Sequence, residues 1–206
     1  FICDLSQMPP HTELLQNGNL VVRGAVSWKD ARDYLKANGR NIKTSPTEEL
    51  ALITAGAATS ATGERCFAFG NLRSQISRIK YIDYAGEEKE LLKKRDLKIE
   101  GLDLSDYQKE FESYSSFKNA PFPRFEKETD LMIGTEGQLG VITEIEIETV
   151  ENMPVQHLFM LLPKWEENDA PHLEIIEKIQ SWREDVILVE LIDSNAFSFL
   201  PEEDRP

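Results

Sequence analysis

The clearest pattern in the chain is ITEIEIETV, residues 142–150, where apolar and polar positions alternate from Glu144 through Glu148. That period of two predicts a strand with one buried face and one wet face. Glu144, Glu146, Glu148 and Glu151 are read as a solvated acidic face with no catalytic role. Just before it, DLMIGTEGQLGVIT (130–143) spaces Gly134, Gly137 and Gly140 evenly between apolar flanks. The expectation is a strand, a glycine loop and a second strand.

The same alternation predicts strands at 1–5 and 19–26, the latter entered through Asn17-Gly18. SQMPPHTE, with two prolines, is read as a turn. Residues 76–84 and 88–92 form a hairpin turning at Ala85-Gly86. Helical spacing appears in SWKDARDYLKANG. There Trp28, Ala31, Tyr34 and Leu35 share one face, Ser27 is the N-cap with Asp30 in the capping-box position, and Gly39 stops the helix. Residues 93–128 are charged and poor in β-branched side chains, and predict a long surface excursion with a helix over 105–117. After Pro154 the pattern restarts: strand 156–162, helix 170–182, strand 186–192 and the beginning of a helix at 193–200. That order resembles the start of a ferredoxin-like α+β unit and places a domain boundary near residue 153.

Residues 48–63, EELALITAGAATSATG, are dense in alanine, threonine and glycine, with almost no charge after Glu49. Two readings stand: a tight helix–helix contact, or close approach to a flat ligand. GxxGxxG is neither the GxGxxG of dinucleotide folds nor a phosphate-binding GxxxxGK[ST] loop.

The chain has 206 residues, a formal net charge of −14, 40% hydrophobic and 29% charged residues. Such an acid excess gives no electrostatic footprint for nucleic acid or an anionic membrane surface. Cys3 and Cys66, and His11, His157 and His172, lack metal-ligand spacing, so no metal is expected. Two free thiols and no secretory signal at the start fit a cytoplasmic protein, or one peripheral to a membrane. The chain opens already in strand pattern and ends without a closing element, and so reads as the middle of a longer protein.

Several blocks together resemble one family, the FAD-linked oxidases with the vanillyl-alcohol oxidase (PCMH) type of FAD-binding domain. The family includes D-lactate dehydrogenases, the glycolate oxidase flavin subunit and alkylglycerone-phosphate synthase. DLMIGTEGQLGVIT resembles DLxxLFxGSEGTLGIIT, and FICDLSQM resembles VVVDLSRM. LVVRGAVSW resembles TVTVGAGVTW, and ALITAGAATSATG resembles ATIGGMVATNASG. FAFGNLRSQISRIKYIDYAGE resembles RYGTTRDYVLGLEVVLPDG. The order and spacing agree over residues 1–153. The resemblance implies an α+β fold: the second subdomain of a PCMH-type FAD-binding domain (1–153), an antiparallel or mixed sheet flanked by helices, then the beginning of a ferredoxin-like cap (154–206).

The resemblance also implies FAD as cofactor, lined by three blocks. The first is Pro46, Thr47, Glu48, Glu49, Leu50, Ala51 and Leu52. The second is Thr59, Ser60, Ala61, Thr62 and Gly63. The third is Gly134, Thr135, Glu136, Gly137, Gln138, Leu139 and Gly140, with Val141 and Ile142 presenting backbone and apolar side chains. Glu136 either bonds loop amides or meets a cofactor hydroxyl. Thr54-Ala55 stand where the family carries paired glycines. The implied reaction is hydride transfer from a 2-hydroxy acid, D-lactate or glycolate-like, or a similar alcohol, to the flavin. The electron acceptor and the catalytic residues are unassigned. Two alternatives are an alkylglycerone-phosphate synthase-like enzyme, with Arg65, Arg73 or Arg124 toward a phosphate, and a non-catalytic flavin-binding or subunit-interaction module. A homodimer fits the family.

Overall fold

The computed structural model describes residues 4–63, 65–114, 123–182, 184–192 and 194–204. Its main sheet has five strands: β1 (His11–Leu14), β2 (Leu20–Arg23), β4 (Ile76–Ile82), β5 (Glu88–Leu92) and β6 (Val141–Ile147). They run in the order β1-β2-β6-β4-β5, every neighbour antiparallel. A small ribbon pairs β3 (Arg40–Ile42) with β7 (Thr149–Glu151). The fold is therefore α+β, an antiparallel sheet flanked by helices.

The alternating strand β6 becomes the middle of the sheet, and its register sorts the two faces. Ile145 lies between Val22 and Ile79, all three buried, while Glu144 lies between Arg23 and Lys80 on the opposite face. A slip of one residue would exchange these faces, so burial of the apolar face holds the register. Over the apolar face lie α1 (Trp28–Ala37) and α2 (Ile53–Ala58), bringing Trp28, Ala31, Leu35, Ile53 and Ala57 into one core with the strands, and a single-turn helix α3 (Cys66–Phe69) follows them in the chain.

Helix α1 forms as its sequence predicts. The Ser27 hydroxyl accepts from the Asp30 amide at 3.0 Å, and Asp30 Oδ2 accepts from the Ser27 amide at 3.3 Å, closing the capping box. Ser27→Ala is expected to lower stability by about 1 kcal/mol. Lys29→Ala, which removes only an exposed pair with Asp33, should leave the urea midpoint unchanged.

Four expectations are corrected. The turn read over SQMPPHTE stops short of His11: HTEL is strand β1, because the Asn17-Gly18 turn needs a strand on each side to make its hairpin. Of the strand at 1–5, residues 1–3 lie outside the described residues, and Asp4 and Leu5 are not in a strand. The approach to the glycine loop is a 3-10 turn (Glu128–Leu131), not a strand. There the Asp130 carboxylate accepts from the Glu126 and Lys127 amides at 3.0 and 2.9 Å, drawing the backbone into a local turn in place of a ladder.

Finally, residues 156–162 and 186–192 form no strand among the described residues, although α5 (Ala170–Ser181) and α6 (Ser194–Phe197) appear. These two apolar runs pair neither with each other nor with the main sheet, and Leu158, Phe159, Leu161 and Leu191 stay exposed. A strand is not stable without a partner for its ladder. In the surface excursion, α4 covers Ser105–Ser113, and the rest of the predicted 105–117 helix beyond Tyr114 lies outside the described residues.

Candidate functional site

Helix α2 is short, and the glycine loop closes it. The amide of Gly134 donates to the Ala57 carbonyl at 3.1 Å, and that of Glu136 to the Ala58 carbonyl at 2.9 Å. A helix leaves its last carbonyls unpaired, and here a loop distant in sequence supplies the donors. The loop then turns sharply. The Gln138 amide donates to the Thr135 carbonyl at 3.0 Å, with left-handed φ at both central residues, Glu136 (51°) and Gly137 (84°). That is the primed turn that joins antiparallel segments with little splay.

The second block, Thr59–Gly63, continues directly from α2. Ala61 donates back to the Gly56 carbonyl at 2.8 Å, and Ser60 lies against Gly134. Gly63 packs on the start of the first block so closely that a Cβ there would stand 2.2 Å from the Ser45 carbonyl oxygen. The first block is itself tied to α1 by bonds from the Trp28 and Lys29 amides to the Ala51 and Glu49 carbonyls, and Arg32 pairs with Glu49 at 2.5 Å. The three predicted blocks thus form a ledge along α2: the first leads into its N-terminal end and touches Gly63, the second continues from its C-terminal end, and the third closes that end.

Its open surface carries Thr47, Glu48, Leu50, Ala55, Thr59, Thr62, Gly134 and Glu136 to Leu139. Pro46, Glu49, Ser60, Ala61, Gly63, Thr135 and Gly140 are half-buried at its edges. Ala51 and Leu52 turn toward α1, Val141 begins β6, and Ile142 is buried in the sheet core.

The alanine-rich segment makes the tight helix–helix contact on one face and leaves its other face open. A Cβ on Gly56 would meet the Trp28 ring at 3.0 Å, so one side of α2 is a close helix–helix contact. Ala55 and Thr59 face outward. Thr54 turns inward, 3% exposed, its hydroxyl with no partner among the described residues, so of the Thr54-Ala55 pair only Ala55 adds a side chain to the ledge.

Backbone strain gathers in the same place. Among the described residues, three that are not glycine have left-handed φ: Ser60, Arg65 and Glu136. Two are on the ledge, and Arg65 follows it by two residues. Such conformations cost about 1–3 kcal/mol each and collect at functional sites. Sequence reading gave no sign of them, because Ser, Arg and Glu carry no preference for that region.

The acidic face of β6 departs from its expected character. Glu144 is 2% exposed and holds Arg23, Arg78 at 2.6 Å and Lys80 at 3.3 Å. Glu146 accepts from Arg78 and Asn19, and Glu148 from Lys43 and Lys93. Cross-strand pairing puts cations opposite Glu144 and Glu146, and Lys43 and Lys93 reach Glu148, so these three form an ion-pair lattice, while Glu151 stays exposed as expected. A cavity of about 400 Å³ lies beside it, lined by Met8, Arg23, Lys80 and Glu144. A smaller one of about 110 Å³ lies beside Gly63, Cys66 and Leu188.

Arg65 donates to the Ile42 carbonyl and stacks over Phe69, Arg73 is buried, and Arg124 pairs with Asp130 at 2.9 Å. All three are engaged within the chain. His172 lies on α5 with its ring nitrogen 2.7 Å from the Pro163 carbonyl, and His157 stacks near Phe159. Among the described residues no group of three metal-ligating side chains occurs, and no helix is long and apolar enough to cross a membrane.

No family model and no curated protein matches the chain. The structure is similar to two solved structures of alkyldihydroxyacetonephosphate synthase, in two crystal forms, at 14% identity and a TM-score of 0.43. The match covers 65% of this chain and 19% of each of those chains.

Proposed function

We propose that the ledge around α2 is one wall of an FAD site in an FAD-dependent oxidoreductase, with 1–153 contributing to the FAD-binding domain and 154–206 beginning a substrate cap. The observation that carries the reading is the gathering of three separate segments along α2, two of them with strained backbone at Ser60 and Glu136 and with small residues at their open positions. A flat, long cofactor needs backbone and small side chains at close range. The ledge fits that need on one side. Ala55, Thr59, Thr62, Gly134 and Gly137 present little bulk, and the inward turn of Thr54 keeps its side chain out of the ligand's path.

Bound flavin would supply the hydride-accepting chemistry. The chain's own part is to seat it: Gly137 and its neighbours offer the turn backbone, and Ala55 and Thr59 an uncrowded floor. Glu136, exposed and carboxylate-bearing, is the residue on hand for a cofactor hydroxyl. The substrate proposed is a 2-hydroxy acid of the D-lactate or glycolate class, or a similar alcohol.

Ala55→Phe tests the ledge, since that side chain already faces solvent and its bulk should not disturb the core. The variant is expected to retain about tenfold less flavin, by visible absorbance, with an unchanged urea midpoint. Full flavin content in Ala55→Phe would refute the site. Anaerobic addition of D-lactate or glycolate to the flavin-loaded protein should bleach the flavin band. Absence of bleaching with both would remove that substrate class and leave the alkylglycerone-phosphate synthase-like alternative to be assayed.

A further inference from the structure

Beneath the glycine loop lies a buried cluster that the ledge does not itself contain. Arg73 sits in a 3-10 turn (Leu72–Gln75) between the buried residues Leu72 and Ile76. Its Nη1 donates to the carbonyls of Arg124 (3.0 Å) and Asp130 (3.1 Å), and its Nη2 to that of Ile133 (2.8 Å). The Asp130 carboxylate is 3.5 Å from Nη1 and is gripped by Arg124 Nε and Nη2 at 3.0 and 2.9 Å. One guanidinium therefore collects three main-chain carbonyls from the segment that leads into Gly134. Its Nη2 ends 3.8 Å from where a Gly134 Cβ would stand.

The cluster reaches outward as well. Phe125 follows Arg124 and meets the Tyr107 ring edge-on at 5.9 Å, while the Tyr107 hydroxyl donates to the Pro123 carbonyl at 2.7 Å. Tyr107 is on α4, in the 93–128 excursion. The neck of that excursion is closed by bonds from Leu97 to Glu126 and from Glu128 to Arg95. Arg73 thus has the excursion on one side and the glycine loop on the other.

We infer that Arg73 is a positioning residue that sets the glycine loop against the end of α2 and links its placement to the 93–128 excursion. The chemistry requires arginine. A planar fork with several fixed donors serves three carbonyls at once, whereas a lysine ammonium is a flexible point charge that cannot match that geometry. Arg73 Nε is buried with no partner among the described residues, and burial lowers the Arg73 pKa against the favourable charge of Asp130. An apolar residue would fill this volume without that desolvation penalty. What the arginine adds is the placement of the carbonyls. That the placement tunes flavin binding rests on the function proposed above.

Amide hydrogen exchange on the full-length protein tests the inference. In Arg73→Lys, peptides covering 133–140 should exchange about tenfold faster while peptides from β4 and β6 keep their protection. Flavin affinity should fall with the loop. Equal acceleration across the sheet would make Arg73 an ordinary support of the core and overturn the inference, as would no acceleration at all. Should Arg73→Lys fail to fold, Arg124→Gln, on the partly exposed side of the cluster, is expected to give the same local signature, and its absence there would equally overturn it. Failure of the unmodified protein to bind flavin would remove the cofactor reading and leave the exchange prediction standing.

Discussion

Gly140→Ala is expected to destabilise the protein by about 4 kcal/mol, combining a strained backbone with a clash. Gly140 has φ 147°, and a Cβ there would stand 2.4 Å from the Ile82 carbonyl oxygen and 2.9 Å from the Tyr81 ring. The obstruction is main chain in the adjoining strand β4, which cannot move without breaking its pairing with β6. Gly137→Ala, three residues earlier, meets nothing within 4 Å. Only its left-handed φ opposes it, at a cost of about 1 kcal/mol. Urea denaturation of both variants measures the contrast, and equal losses would sink this account of the loop. The contrast also divides the three glycines by purpose. Gly140 serves strand packing, Gly134 the docking on α2, and Gly137 alone has its open side toward solvent.

The second large effect is expected at Glu144. Burial pushes its carboxyl pKa up, but hydrogen bonds from Arg23 and Arg78 and the charges of Arg78 and Lys80 outweigh burial and bring it down to about 2, from 4.5. A folded-state pKa below the unfolded one means stability that is present above pH 4.5 and lost as pH falls toward 2. The depression corresponds to about 3 kcal/mol. Glu144→Gln should remove that amount at neutral pH and flatten the acid limb of the stability curve. Asp130 and Glu148, whose pKa values are also lowered despite burial by their bonds to Arg124 and to Lys43 and Lys93, keep part of the acid sensitivity. An acid limb as steep in the variant as in the parent would show that the lattice is not what Glu144 stabilises.

Much of the first 150 residues was legible because their signals are local. The capping box at Ser27 and Asp30, the Ala85-Gly86 hairpin and the alternation of β6 each lie within one short segment. The misread segments are those where a contact from elsewhere in the chain, or a local side-chain bond, overrides the pattern. Asp130 bends the approach to the loop by capping backbone amides, and HTEL is a strand because β2 offers it an edge. The two apolar runs beyond Pro154 carry good strand composition. Composition does not make a ladder without a neighbouring strand.

By itself the sequence determined which residues face inward and where α1 begins and ends. These follow from side-chain period and local capping, which need no distant partner. Only the tertiary structure decided that the first block, Thr59–Gly63 and the glycine loop lie together along α2, that Thr54 turns away from the ledge, and that Arg73 reaches three carbonyls beneath it. It also decided that the glutamates of β6 are paired and not bare. Each of these depends on strand order and register, set by burying the whole apolar face at once, and no window of sequence contains that sum.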